Sequence, residues 1–490
     1  MTKRENLSAG MKVLSVILGT LAGGFLWRCR GESGFGSSWG LYSVGLILLL
    51  LVWQFYGRRQ GMTYEKLLTG SFLTGLGVTG YATVLMQASG LLNSDLPYQG
   101  EVVDVTINPY SGLFIMLIMG MTFIPFYSFF VTSLFSDKKY RLRHYAVAAV
   151  IFFGVSALCK LTVAHPILSA INPEQVKWAA LGLRDSGLHY TSPMKTYLSH
   201  FMNRSWTQDI PFFENYYMSI EHISDLFGVL AIDAYALFGR KDKVTCFASL
   251  IMQVFVGIAT TAWTSLMLVS FDTGMLADVK APRFLGESGW PLWEFATGAS
   301  VGFITMLVLA LLPKKYTKQT QQDTTPLTQK PMLNLVYNTL ITVFILCLTP
   351  WRVIGLRIGK LLYHKEILAD SSPTGDIIMI AGTVIMGVLM VRFLKKNLID
   401  RRTTPLNIPP VSFSFVAFPA YFAMCVLAYF FLNRCPISQV PYAEMTSASN
   451  ALYLLTGSEQ IETFLMFLTF LLIVVLYVPV RKKLKNDFAA

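Results

Sequence analysis

One eight-residue pattern occurs twice in this chain, as Arg-x-x-Gly-Glu-Ser-Gly followed by an aromatic residue, at residues 28–35 and 283–290. Arginine presents a fork of donors that binds a carboxylate or a phosphate through two hydrogen bonds. Glycine lets the backbone come close to a ligand, and the N-terminus of a following helix attracts an anion. The pattern therefore predicts a paired anion-binding site. Its candidate substrate-binding residues are Arg28, Arg30, Glu32, Arg283 and Glu287. The alternative is that Arg28 and Glu32 pair with each other and only shape the turn.

Three acidic residues, Glu221, Asp225 and Asp233, lie in one apolar segment, with His222 beside the first. At 100° per residue of an α-helix, the three carboxylates fall within a stripe of roughly 120°. An ionised carboxylate that faces lipid near the bilayer centre costs about 2.5 to 3.5 kcal/mol, so we expect the stripe to face the protein interior or water. Buried acids of this kind are typical of proton and cation pathways, which makes these four residues candidates for proton or ion coupling. The alternative is that Glu221 lies at the membrane interface and Asp233 pairs with Arg240.

A third group of polar residues lies in the long link 164–216. Links of this length are often lids or binding loops. Arginine, histidine and acidic residues could surround the phosphates of a lipid-linked donor, as in a membrane-embedded transferase. The candidates in this link are Arg184, Asp185, His189, His200 and Arg204. The histidines of this region are too far apart in sequence to match a compact ligand motif, so no metal site is predicted.

The elements that must position these residues are membrane-spanning helices, because 53% of the 490 residues are hydrophobic and only 14% are charged. A spanning helix needs about 20 mostly apolar residues, and helices keep every backbone amide hydrogen-bonded inside lipid. The sequence therefore predicts an all-α polytopic membrane protein with about twelve spans. They run approximately over residues 11–27, 39–56, 67–92, 110–135, 145–163, 217–238, 244–271, 291–312, 333–358, 376–394, 411–432 and 460–480.

Basic residues predict the orientation, since loops rich in Lys and Arg stay on the cytoplasmic side. With the N-terminus inside, every inner segment carries at least three such residues, whereas the outer link 93–109 carries none. We therefore expect a multi-pass protein of the plasma (inner) membrane with both termini in the cytoplasm. The first apolar segment is expected to remain in the protein, because Trp27 and Arg28 stand where a signal peptide needs small residues. The net charge of +12 follows from the inner loops and does not indicate nucleic-acid binding.

The two copies of the pattern suggest an internal duplication. Each copy lies in a link that follows an odd-numbered predicted span, and Ser43-Val44-Gly45 recurs as Ser300-Val301-Gly302 in the next span. Six spans in each half would give a parallel 6+6 repeat. The predicted divisions are 1–243 for the first six-helix half with its outer loop 164–216, 244–312 for spans seven and eight, 313–331 for a polar cytoplasmic linker, and 332–490 for the last four spans.

These patterns favour a secondary transporter or flippase, coupled to protons or another ion, for an anionic solute or a lipid-linked group. One alternative is a membrane-embedded transferase that acts on lipid-linked donors at the outer leaflet, and a second is a non-catalytic membrane assembly subunit. The sequence contains no P-loop and no HExxH. We therefore predict no cofactor, and the predicted partners are membrane lipid and the anionic or lipid-linked substrate.

Overall fold

The computed structural model is helical over nearly all the residues that it describes. These are residues 7–32, 37–56, 64–76, 95–98, 101–104, 109–185, 213–268, 289–312, 327, 331–352, 354–355, 358, 372–394, 410–427, 429 and 458–489. Within them, seven helices are long and apolar enough to cross a membrane, or eight if one bent pair forms a single span. Shorter apolar helices occur at Gly40–Tyr56, Thr374–Leu389 and Ser414–Val426. These helices support a multi-pass membrane protein, whereas the count of twelve spans and the 6+6 repeat stay predictions.

The helices of the described residues are numbered in chain order. They are α1 (Ala9–Glu32), α2 (Ser37–Tyr56), α3 (Tyr64–Thr74), α4 (Pro109–Met121), α5 (Pro125–Ser133), α6 (Leu142–Thr162), α7 (Ala164–Ile171), α8 (Pro173–Asp185), α9 (Phe213–Ala234), α10 (Lys243–Leu268), α11 (Gly289–Leu311), α12 (Pro331–Thr342), α13 (Ser372–Leu394), α14 (Pro410–Leu427) and α15 (Ser458–Ala489). A π-helical turn follows α9 at Tyr235–Gly239 and another follows α12 at Val343–Leu348. Strands β1 (Asp95–Tyr98) and β2 (Glu101–Asp104) form an antiparallel hairpin in a link that the sequence did not predict to be ordered.

The chain packs as two compact units that interleave in sequence. The first unit consists of Met1–Gly77, Phe126–Leu142 and Glu294–Ala490, and the second consists of Val78–Pro125 and Arg143–Trp293. Division by packing and division by ancestral duplication are different properties. The predicted boundaries between the halves and around the linker therefore stay predictions.

The predicted span 110–135 is two helices, α4 and α5, which bend by 43° at their junction. Pro125 begins α5, where its missing N–H and fixed backbone angle suit the first turn of a helix. Thr122 lies between the two helices, with a buried side chain. The bend therefore lies at a buried polar residue.

The turn from α9 to α10 is tightly built. The π-helical turn ends in a hydrogen bond from the N–H of Arg240 to the carbonyl of Tyr235. Lys241 then adopts a left-handed backbone with φ 54°, which reverses the chain. Asp242 caps α10, because its carboxylate accepts the N–H of Thr245 at 3.0 Å and the hydroxyl of the same residue at 2.6 Å. These contacts place α10 beside α9.

Part of the polar segment 313–331 is attached to the first unit. Leu327 is buried. Its N–H donates to the carboxylate of Glu65 on α3 at 2.8 Å, and its carbonyl accepts the N–H of Leu142 at 3.1 Å. The sequence indicated a polar linker but carried no signal for this attachment, which depends on one apolar residue among polar neighbours.

The first copy of the repeated pattern begins inside a helix. The sequence predicted that the first span ends at Trp27, but α1 continues to Glu32, so that Arg28, Arg30 and Glu32 belong to its last turns. An arginine in a helical turn has a fixed direction. Its partners are therefore set by the helices that pack on α1.

Candidate functional site

The acidic helix α9 packs against α6 in the second unit, and the two helices run in opposite directions. Gly228 allows this contact, because a Cβ there would lie 2.8 Å from the ring of Phe152. Toward the start of α9, the hydroxyl of Ser156 donates to the carboxylate of Asp225 at 2.5 Å. Asp225 is only 7% exposed. The side chain predicted to face the interior is therefore buried and holds a hydrogen bond from the neighbouring helix.

An ion pair between α6 and α9 lies one helical turn away from the contact of Ser156 with Asp225. The ammonium group of Lys160 lies 3.0 Å from the carboxylate of Glu221. The hydroxyl of Tyr217, one turn earlier on α9, donates to the same carboxylate oxygen at 2.9 Å. The side chains of the pair are 10% and 16% exposed, so the charge of Glu221 is balanced where water has little access.

His222 is completely buried beside this ion pair. Its Nδ1 lies 3.2 Å from the hydroxyl of Thr122, the residue at the bend between α4 and α5. Its Nε2 is buried and has no hydrogen-bond partner among the residues that the structure describes. One ring nitrogen of His222 thus contacts the residue at the bend between α4 and α5, and the other has no partner among the described residues.

Asp233 is the most isolated carboxylate of α9. It is 3% exposed. Ser249 and Gln253 of α10 lie beside it, but neither carboxylate oxygen has a hydrogen-bond partner among the described residues. No ion pair within the described residues includes Asp233, so the alternative pairing with Arg240 is not present. A buried carboxylate without a cation is costly, so the neutral acid or a bound cation is favoured here.

The helices that open the segment 164–216 pack on the first turns of α9. The amide of Gln175 on α8 donates to the hydroxyl of Ser219 at 3.0 Å. The Nδ1 of His165 on α7 lies 2.8 Å from the hydroxyl of Tyr216. Burial of His165 in this contact lowers the pKa of its imidazole below the usual value of 6.5. The region predicted as an outer loop therefore begins with ordered helices.

In the first unit, α1 and α11 pack antiparallel through facing glycines. Gly19 lies against Gly302, and Gly23 lies against Gly298, with each glycine opposed to a backbone carbonyl of the other helix. Both helices thus carry a Gly-x-x-x-Gly pattern, in which small residues let two backbones approach closely. We call this contact the α1–α11 seam.

Polar contacts mark both ends of the α1–α11 seam. The ammonium group of Lys12 donates to the carbonyl of Ala310 at 2.6 Å. At the other end, the guanidinium of Arg28 lies 2.5 Å from the carboxylate of Glu294. The two helices therefore keep one register over the seventeen residues from 12 to 28 on α1 and from 310 to 294 on α11. That length corresponds to about 24 Å of helix.

Arg28 is the centre of a charge cluster that joins three helices of the first unit. Besides Glu294 of α11, its Nε donates to the carboxylate of Glu462 on α15 at 2.6 Å. The hydroxyl of Tyr429, just after α14, donates to the same carboxylate oxygen at 2.9 Å. Arg28 is 3% exposed. Its guanidinium thus binds two carboxylates of the protein itself. The predicted binding of an anionic ligand by Arg28 stays a prediction.

Arg30 lies next to this cluster. Its guanidinium carbon is 5.1 Å from the centre of the Trp27 ring, a cation–π distance. Its stem packs where a side chain on Gly40 of α2 would lie, so only glycine fits there. The Nε of Arg30 is buried and has no hydrogen-bond partner within the described part of the chain.

The structure brings together only some of the residues singled out in the sequence. Glu221, His222, Asp225 and Asp233 share the interior face of α9 in the second unit. Arg28 and Arg30 lie together at the end of α1 in the first unit. Arg283, Glu287, His189, His200 and Arg204 lie outside the described residues. Glu32, Arg184 and Asp185 lie on helices, but their side chains are outside the description.

Sequence reasoning missed several partners. Glu294 lies within a predicted span, so its charge inside an apolar segment was a usable signal. The two Gly-x-x-x-Gly patterns of the α1–α11 seam were also readable as helix-packing motifs. Ser249 and Gln253 carried no comparable signal, because hydroxyl and amide residues are common on helices of membrane proteins.

The described residues contain no group of three or more His, Cys, Asp or Glu side chains that could hold a metal ion. Comparisons with protein-family models, with curated proteins and with solved structures found no match to this chain. The function must therefore be argued from the arrangement of these side chains.

Proposed function

We propose that this chain is a multi-pass membrane transporter that moves an anionic solute or a lipid-linked group, coupled to a proton or another cation through α9. The row of carboxylates on one face of that helix is the observation that carries the proposal: Asp225 and Asp233 are buried, and the side chain of Glu221 is 16% exposed. Each of these groups resists removal from water unless a neighbouring group compensates it. A helix with only a structural role would not need three of them.

The spacing of the carboxylates favours ion passage over chemistry at one point. Glu221 and Asp233 are separated by about 18 Å along the helix axis, more than half of a hydrocarbon core about 30 Å thick. Catalytic groups converge on one reacting atom within a few ångströms, whereas a pathway distributes its polar groups along its length. This arrangement supports the transporter over the transferase.

The compensation differs from one carboxylate to the next. Glu221 has the ammonium group of Lys160, and Asp225 has the hydroxyl of Ser156. Asp233 has no ion pair within the part of the chain that the structure describes. Because the compensating groups differ along the row, a cation can be bound at one end of it and released at the other.

The anionic nature of the substrate rests on the repeated arginine pattern. Arg28 already binds Glu294 and Glu462, so an incoming carboxylate or phosphate must displace one of them. Such an exchange replaces one charge-assisted contact by another and therefore has a small net cost. We place both termini in the cytoplasm and the protein in the plasma membrane on the strength of the basic inner loops.

The test is transport by purified protein in proteoliposomes under an imposed gradient of protons or of Na⁺. The probes are radiolabelled phosphate, glucose 6-phosphate and citrate, together with a fluorescent polyprenyl phosphate whose flipping is followed by dithionite quenching. We expect one probe to move faster than in protein-free liposomes, and Asp225→Asn to abolish the dependence on the gradient. Glu174→Gln, at an exposed surface pair with Lys177, is the matched control and should behave as wild type. Failure of every probe to move would show that the proposal is wrong.

A further inference from the structure

Asp233 lies at the position on α9 where the helix changes its hydrogen bonding. The α-helix ends at Ala234, and the π-helical turn begins at Tyr235. Asp233 therefore sits at the last α-helical turn, with its carboxylate 3% exposed and turned toward α10.

The face of α10 opposite Asp233 offers oxygen atoms. Ser249 and Gln253 are one turn apart and both are fully buried. The amide of Gln253 donates to the hydroxyl of Ser249 at 2.9 Å, which fixes the two side chains relative to each other. The amide oxygen of Gln253 is itself buried. A carboxylate, a hydroxyl and an amide thus lie beside one another inside the second unit.

Within the described residues, no positive side chain forms an ion pair with Asp233. The thiol of Cys246 on α10 is a titratable group close to it. Both carboxylate oxygens of Asp233 are buried, and neither has a hydrogen-bond partner among the residues that the structure describes. An unpartnered, buried anionic group next to neutral oxygen donors is a site that a small cation completes.

The charge of the site limits the ligand. One carboxylate among neutral oxygens suits a single positive charge, whereas Ca²⁺ and Mg²⁺ sites draw on more carboxylates or on substrate phosphates. We infer that Asp233, Ser249 and Gln253 form the binding site for a monovalent cation, a proton or Na⁺. This inference rests on the proposed function, because it names the site at which the coupling cation is bound.

Dicyclohexylcarbodiimide tests the site in the full-length protein without any substrate. This reagent modifies protonated carboxyl groups in apolar surroundings, and peptide mass spectrometry identifies the modified residue. We expect modification at Asp233 that decreases as the pH rises. Protection by NaCl, but not by choline chloride, identifies a Na⁺ site, and absence of protection identifies a proton site. Modification of Asp225 or Glu221 with none at Asp233 would overturn the inference.

Two variants on α10 separate a ligand role from a structural one. If Na⁺ protects, Gln253→Leu and Ser249→Ala should each raise the half-protecting Na⁺ concentration by about tenfold, because each removes one oxygen from a charged ligand. If only protons bind, the same variants should shift the pH dependence of modification instead. If the variants change neither the half-protecting Na⁺ concentration nor the pH dependence of modification, Ser249 and Gln253 are not part of the site.

The labelling experiment and the transport experiment fail independently. Modification of Asp233 without transport of any probe would keep the cation site and reject the transporter. Transport under a cation gradient, with Asp233 unreactive at every pH, would keep the transporter and place the coupling cation elsewhere.

Discussion

Gly23 of α1 and Gly298 of α11 lie so close together that a Cβ on either residue would overlap the backbone of the other helix. The helices approach at this point because neither side chain extends beyond hydrogen. The same contact sets the register that brings Arg28 to Glu294 at the end of the seam. The charge cluster of the first unit therefore depends on two glycines that carry no chemistry.

Gly23→Ala should destabilise the protein by about 1 to 3 kcal/mol, because the added methyl group overpacks the seam. Gly10→Ala is the matched control on the same helix, since no atom lies within 4 Å of a Cβ there. Alanine is a better helix former than glycine, so the control should be neutral or stabilised by up to about 1 kcal/mol. Thermal unfolding can be followed with a thiol-reactive dye, because Cys29 and Cys425 are buried and free. Equal melting temperatures for the two variants would contradict the claim that close packing at Gly23 stabilises the α1–α11 seam.

Glu462→Gln should destabilise the first unit by about 3 kcal/mol, because it removes one of the carboxylates that compensate a buried arginine. The side chains of Arg28 and Glu462 are 4% and 10% exposed, so solvent screens the pair weakly. Glu174→Gln removes an exposed carboxylate and should cost less than about 1 kcal/mol. The check is the melting temperature in one detergent at one salt concentration. A cost for Glu462→Gln no larger than that of the surface control would mean that the cluster contributes little.

Lys160→Met should destabilise the protein by about 3 kcal/mol, because the largely buried charge of Glu221 then has only the hydroxyl of Tyr217 and no cation to compensate it. Replacing both members, in Lys160→Met with Glu221→Gln, should recover most of the lost stability, since the pair is exchanged for neutral groups of similar size. A double-mutant cycle on melting temperatures measures this coupling. Additive effects of the two changes would show that the 3.0 Å contact does not stabilise the fold.

His165 should make the stability of the protein decrease in mild acid. Burial lowers the pKa of its imidazole in the folded state below the usual 6.5. As the pH falls below 6.5, the unfolded chain therefore binds a proton before the folded chain does. The resulting contribution is complete above this pH and is lost as the pH falls toward the lowered pKa. The melting temperature of His165→Gln should consequently fall less between pH 7 and pH 5 than that of wild type; parallel curves would refute the assignment.

Amino-acid patterns alone predicted the helical membrane class and the buried face of α9. Both follow from local physics: an apolar segment of spanning length must form a helix in lipid. Acids one and three turns apart on that helix must share a face. The sequence alone therefore predicted that Glu221, Asp225 and Asp233 lie on one face of the helix, although it did not indicate which side chains contact them.

The partners of these residues were decided by tertiary structure. Arg28 meets Glu462, which lies 434 positions away in sequence, and nothing local to either residue encodes that meeting. The predicted single span 110–135 bends by 43° and presents Thr122 to His222. Whether a buried carboxylate receives a cation, a hydroxyl or no partner depends on which helix packs against it. The packing partner of each helix is determined by the contacts along its whole face, including glycines that allow close approach. For this reason Glu221 is paired with Lys160, whereas Asp233 has no ion pair within the described residues.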